Sequence, residues 1–132
     1  MTMKIMAGID DSEISEKVLD LAVRHAKAFR GNLELVISME KGDESEQEAI
    51  RKAEELLNNR KKKVETAGVA CNTHLLIRGM TPGEDLVRFA KENGIEEIVI
   101  GVRRKSKVGK LVFGSTAQHV ILKADCPVVT IR

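Results

Sequence analysis

Short runs of Ile, Val, Leu and Met, each about one strand long, alternate along this chain with longer stretches whose apolar residues recur at helical spacing, and that alternation admits few folds. Residues 3–9 are an apolar run that ends in Asp10-Asp11-Ser12, which reads as a strand followed by a helix-capping turn. The helix behind it reaches to about Arg30 with Ile14, Val18, Leu21, Ala22, His25 and Phe29 on its apolar face, and Gly31 ends it. Residues 33–39 make a second strand. After a polar stretch, Ser45-Glu46-Gln47-Glu48 has the form of a capping box that opens a long helix with Ile50, Ala53, Leu57, Val64 and Ala67 on its buried stripe. Glu48 stands four residues before Lys52 on the outer face, and Lys61-Lys62-Lys63 belongs to the same solvated surface. Gly68 closes this helix. Residues 69–77 form a third strand of weaker alternation, with Asn72 and His74 on one face, as suits a sheet edge.

The second half repeats the pattern. Thr81-Pro82-Gly83-Glu84 places a Thr cap, a Pro at the first helical position and a Glu two residues on, so a helix starts there and runs through Leu86, Val87, Ala90 and Lys91 to Gly94. Residues 95–100 are the fourth strand. Ser115 is placed to cap a last helix carrying Val120, Ile121 and Ala124, and residues 127–131 form the last strand. Strands joined by helical crossovers pair in parallel. The order β-α-β-α-β-α-β-α-β therefore predicts an α/β fold, a doubly wound, mostly parallel five-stranded sheet with helices on both faces, in one domain of 132 residues. Ligands of such folds sit beyond the carboxyl ends of the strands, where strand order reverses.

Between the fourth strand and the last helix lies Gly101-Val102-Arg103-Arg104-Lys105-Ser106-Lys107-Val108-Gly109-Lys110, then Leu111-Val112-Phe113-Gly114-Ser115-Thr116. Five of the nine residues 102–110 are Arg or Lys. Backbone amides at a helix start and cationic side chains converge there, the chemistry of a phosphate cradle. Strand-to-helix loops are also basic and glycine-containing for turn geometry and solubility alone, so both readings stand at this point. The better-known phosphate motifs are absent, because Leu111 follows Gly109-Lys110 where a P-loop has Ser or Thr, and no G-x-G-x-x-G occurs.

Composition narrows the partners. The net charge of +2 offers no bulk attraction to nucleic acid or to a membrane, and with no Trp or Tyr and three Phe the chain lacks stacking platforms for single strands. Cys71 and Cys126 are isolated thiols without C-x-x-C spacing, and no long apolar segment opens the chain, so a reducing cytoplasm is the expected home. Cys126, before Pro127, reads as a small packed thiol. His25, His74 and His119 stand in no catalytic spacing with a Cys or Ser and read as structural.

The spacing of Gly101, Arg104 and Gly114-Ser115 resembles the nucleotide loop of the universal stress protein family, G-x2-G-x9-G-[ST], with Arg104 at the second glycine position. Ile9-Asp10-Asp11-Ser12 is similar to the V-D-G-S-like turn which that family carries after its first strand, with Asp11 in place of the glycine. The resemblance covers nearly the whole chain. It implies strand order 3-2-1-4-5, which brings Asp10 beside Gly101 and Ser115. It implies an adenine and ribose pocket at Ile9, Asp10, Ile37 and Ser38, and phosphate contacts at Gly101, Arg103, Arg104, Gly114, Ser115 and Thr116. The implied ligand is ATP with Mg bridging its phosphates, the ion arriving with the nucleotide, and Lys105 and Lys107 adding attraction. It also implies a homodimer through Val128, Val129, Thr130 and Ile131, against the alternative of a bare sheet edge shielded by Arg132. The expected function is a cytoplasmic, nucleotide-dependent stress-response or signalling module, with slow ATP hydrolysis at most. The alternative is a dimeric relative that holds no nucleotide and works through protein interactions. A nucleotidyl-transferring enzyme would need H-x-G-H or S-G-G-x-D-S, and neither is present.

Overall fold

The computed structural model describes residues 2–41, 46–102 and 113–132. Ser45 of the expected capping box, and Arg103, Arg104, Lys105 and Lys107 of the basic loop, lie outside the described residues. Along the chain run β1 (Met3–Gly8), α1 (Ile14–Phe29), β2 (Gly31–Met39), α2 (Gln47–Thr66), β3 (Cys71–Ile77), α3 (Pro82–Glu92), β4 (Glu97–Gly101), α4 (Ser115–Lys123) and β5 (Val128–Ile131). The strands form one parallel sheet in the order β3-β2-β1-β4-β5, as expected. The chain steps outward from β1 to β3, then returns to the other side of β1 for β4, so the order reverses between β1 and β4.

The central strands are buried on both faces, which is why they read as continuous apolar runs. Ile5, Ala7, Leu33, Leu35 and Val99 meet Val18, Leu19, Ala22 and Ala26 of α1 and Leu57 and Val64 of α2. On the opposite face Met6, Val36, Ile98 and Ile100 meet Leu86, Phe89 and Ala90 of α3 and Ala117 and Val120 of α4. The α1 stripe is rotated from the expected one. Ser15 is buried in it, and Phe29 is 52% exposed, resting edge-on against the His25 ring instead of on the sheet. The Ser15 hydroxyl faces inward, where it donates to Asp10 Oδ1 at 2.9 Å.

The boundary after α1 also differs from the sequence reading. Arg30 takes the left-handed conformation (φ 54°, ψ 47°) that ends the helix, and Gly31 is the first residue of β2. A Cβ at Gly31 would lie 2.8 Å from the Met3 carbonyl oxygen, so the glycine serves strand packing, not the cap. On α2, Glu48 pairs with Arg51, not Lys52, and Lys63 reaches across to Glu16 of α1 at 3.0 Å. These exposed pairs contribute little to stability. At the sheet edge Asn72 and His74 of β3 both turn to the Glu34 carboxylate, at 2.9 and 3.2 Å.

Cys71 lies in the α2-side core, and burial pushes its thiol from an ordinary 9.0 up to about 12. The folded thiol holds its proton more tightly than the unfolded one, so stability is intact below the unfolded value and falls as pH climbs toward the folded value. Denaturant unfolding across the alkaline range is expected to lose up to about 1.4 kcal/mol per pH unit more in the parent than in Cys71→Ala. Parallel slopes for the two proteins would contradict this assignment.

Candidate functional site

At the strand-order reversal, the carboxyl ends of β1 and β4 and the starts of α1, α3 and α4 enclose a cleft of about 250 Å3. Its β1 wall is built by a local network. Ile9 N–H donates to the Val36 carbonyl at 3.0 Å, extending the β1–β2 ladder one residue beyond Gly8. The chain then turns because Asp10 Oδ1 accepts the Ser12 N–H (2.8 Å), the Ser12 hydroxyl and the Ser15 hydroxyl (2.9 Å), while Ser15 Oγ accepts the Asp10 N–H (2.8 Å). An aspartate bonding the backbone two residues ahead is the Asx-turn device, and the return bond from Ser15 locks it. Asp10 thus closes the turn ahead of α1, whose own cap position is Glu13 without a side-chain cap.

The opposite wall is the start of α4. Gly114, in extended conformation (φ −65°, ψ 159°), holds the cap position and Ser115 is the first helical residue, one place further in than the sequence reading had it. No side-chain bond caps this end among the described residues. The first-turn N–H groups of a helix have no intrahelical partner and carry the positive end of its dipole, so this wall offers donors to an anion.

Of the residues singled out from sequence, Ile9, Asp10, Ser38, Gly101, Gly114, Ser115 and Thr116 all line this cleft. Ile37 does not. Its side chain turns to the α1/α2 face, beside a second groove of about 430 Å3 floored by Met39, Ala53 and Leu56, which meets the first only at Asp10. Side chains alternate along a strand, so Val36 and Ser38 share the cleft face and Ile37 cannot. Arg103 and Arg104 lie outside the described residues. Sequence reading missed Ser15, Pro82 and Leu86; the signal for the last two was the helix start at Thr81, which the topology brings over the ends of β1 and β2.

Gly101 has a packing role that its position in a loop motif did not reveal. A Cβ there would sit 2.7 and 3.0 Å from Ile14 Cγ1 and Cγ2 and 3.4 Å from Val18. Only glycine lets β4 pass this close to the start of α1, and Ile14 itself lines the cleft.

Behind Ser38 stands a buried polar chain. Ser38 Oγ donates to Asp85 Oδ2 at 2.8 Å, and Arg78 Nε donates to Asp85 Oδ1 at 2.6 Å. Asp85 is fully buried, and Arg78 Nη1 continues the chain outward to Glu92 at 2.7 Å. The bond to Glu92 and then the bond to Asp85 raise the Arg78 guanidinium above its ordinary value, so it remains a cation. Thr81 occupies the expected cap position of α3, but its hydroxyl bonds the Glu84 carboxylate at 3.0 Å and no backbone amide.

A parallel sheet in this order, with a cleft of mixed polar and apolar lining at its reversal point and an open helix start in one wall, defines the class of doubly wound α/β proteins with a ligand site at the topological switch. The profile of the universal stress protein family matches residues 1–132, and the chain belongs to that family. Universal stress protein YxiE of Bacillus subtilis (strain 168) is 29% identical over 150 residues that span 100% of both chains. The structure of a universal stress protein from Archaeoglobus fulgidus superposes with a TM-score of 0.91 at 38% identity, covering 100% of each chain. A second structure of the universal stress protein from Archaeoglobus fulgidus, in complex with dAMP, has a TM-score of 0.85 at 35% identity and covers 98% of each chain. Among the described residues, no helix is long and apolar enough to cross a membrane.

Proposed function

We propose that this protein is a cytoplasmic nucleotide-binding module, with ATP as its ligand and Mg bridging the phosphates, that presents a ligand-dependent surface to partners in a stress response. The observation that carries this reading is the convergence of Asp10, Gly101, Gly114 and Ser115 on one cleft at the strand-order reversal. The α4 start suits an anion, since its first amides face the cleft without a side-chain cap among the described residues. Gly114, Ser115 and Thr116 hold the phosphates in this reading, and Asp10 and Ser38 line the nucleoside end. The dAMP complex of the Archaeoglobus fulgidus relative supports a nucleotide as the ligand. Mg supplies charge neutralisation between phosphate oxygens and travels with the nucleotide.

Mass spectrometry of the supernatant from denatured protein tests the reading most directly, with a co-purified adenine nucleotide as the expected result. In calorimetry, Gly114→Val is expected to weaken Mg-ATP binding by about tenfold or more, because its branched side chain blocks close approach to the helix start. Equal affinities in variant and parent would remove the cradle. The reading as a nucleotide-free interaction protein draws on Asp11 and Arg104 at the family's glycine positions, and a protein that neither retains nor binds nucleotide would establish it.

The same proposal includes a homodimer through β5. This strand pairs with β4 on one side only among the described residues. The carbonyls of Pro127 and Ile131 bond Ile98 and Val102, so by the two-residue period of the ladder the backbone groups of Val128 and Thr130 face the open edge. Thr130→Pro deletes an outward N–H and leaves the β4 bonds in place. Light scattering is expected to give a dimer mass for the parent and half that mass for Thr130→Pro; a monomeric parent would dismiss the dimer.

A further inference from the structure

The buried chain behind Ser38 dictates what kind of ligand atom can lie against it. Asp85 is ion-paired to Arg78, and a carboxylate has only lone pairs to offer. Its Oδ1 is taken by Arg78 Nε at 2.6 Å and its Oδ2 by Ser38 Oγ at 2.8 Å. The one proton of the Ser38 hydroxyl is therefore committed to Asp85, and the lone pairs are what the hydroxyl has left for the cleft that Ser38 lines. The Asp85 side chain cannot relax away from this arrangement. It is fully buried between β2 and α3, and Arg78 also grips its main-chain carbonyl at 3.3 Å and Glu92 at 2.7 Å.

Ser38 stands at the β2 end of the cleft, two strand spacings or roughly 10 Å from the β4 and α4 wall. A nucleotide whose phosphate occupies the α4 start directs its nucleoside toward β2. The geometry points to Ser38 as an obligate hydrogen-bond acceptor, fixed by Asp85, that selects a nucleoside presenting a donor, an amino or a hydroxyl group, at the β2 end of the site. This inference rests on the nucleotide reading above and deepens it. A keto oxygen in that place would set lone pairs against lone pairs, a mismatch that discriminates more strongly than a missing contact. Asp85 touches no ligand itself; it is a positioning residue.

The test is a set of calorimetric titrations with AMP, IMP, 2′-deoxy-AMP and 3′-deoxy-AMP on the full chain. If the donor is the 6-amino group, the parent prefers AMP over IMP by about tenfold or more, and Ser38→Ala brings that ratio close to one. If the donor is a ribose hydroxyl, the discrimination lies against one deoxy analogue instead, and Ser38→Ala erases that one. Asp85→Asn supplies a readout that a merely structural role would not move. Arg78 keeps the Asn oxygen on its own side, so the Asn amide donates to Ser38 Oγ and frees the hydroxyl proton for the cleft, shifting preference toward IMP in the first case. A thermal melt shows whether Asp85→Asn folds, and Ser38→Ala decides the matter without it. Ratios unchanged in Ser38→Ala overturn the acceptor role while leaving the nucleotide reading intact. A parent that binds neither these four nor Mg-ATP removes both.

Discussion

Gly101→Val is expected to lower the unfolding free energy by roughly 1–3 kcal/mol and nucleotide affinity by about tenfold. The two losses share one origin. A Cβ at residue 101 meets Ile14 at 2.7 and 3.0 Å and Val18 at 3.4 Å, so the added side chain forces the first turn of α1 away from β4 or turns Ile14 into the cleft it lines. Overpacking of this kind is relieved by backbone shifts, and the nearest backbone is the Asp10–Ser15 network that shapes the site. Gly101→Ala, with one carbon instead of three, is expected to show a smaller loss of both. Urea unfolding and calorimetry on the same preparations check the pairing. Lost affinity with unchanged stability would mean that glycine is needed for approach to the ligand and not for packing.

Arg78→Ala is expected to be the more damaging change to the fold, at about 3–5 kcal/mol, because it strands the carboxylate of Asp85 at full burial with Ser38 as its remaining side-chain partner. Asp85→Ala is expected to be milder. Arg78 is 31% exposed and keeps Glu92 at 2.7 Å, so water and a carboxylate receive the cation once Asp85 is gone. The double variant should fall short of the sum of the singles by more than about 1 kcal/mol, as residues in one network do. Chemical denaturation of the four proteins closes this cycle, and additive losses would show that the pair is not coupled.

Much of this architecture is legible in the residues because each element carries its own period and its own punctuation. The strand runs at residues 3–9, 33–39 and 95–100, the Thr81-Pro82 helix start and the Gly68 and Gly94 stops all mark real elements to within a few residues. Face assignment was less legible. In β2, residues 33–37 are buried on both sides, which erases the alternation that would have separated Ser38 from Ile37. The α1 stripe was misread for a related reason, since a buried serine carries no hydrophobic signal and Phe29 carries a strong one although the sheet does not reach it.

Asp85 shows the limit most clearly. In sequence it is an acidic residue in the first turn of a helix, a position that the helix dipole favours and that asks for no further account. Its burial follows from Ser38, 47 residues away, and from Arg78 at the end of β3, brought to one place by the pairing of β2 with β3 and the packing of α3 on β2. The linear chain determined the order and kind of its elements and the residue types available for a phosphate site, because local periodicity, turn chemistry and caps act between near neighbours. Tertiary structure alone decided which side chains share the cleft, why β4 must pass α1 at a glycine, and where a buried carboxylate commits the Ser38 proton, because those depend on distances between residues that only the folded sheet sets.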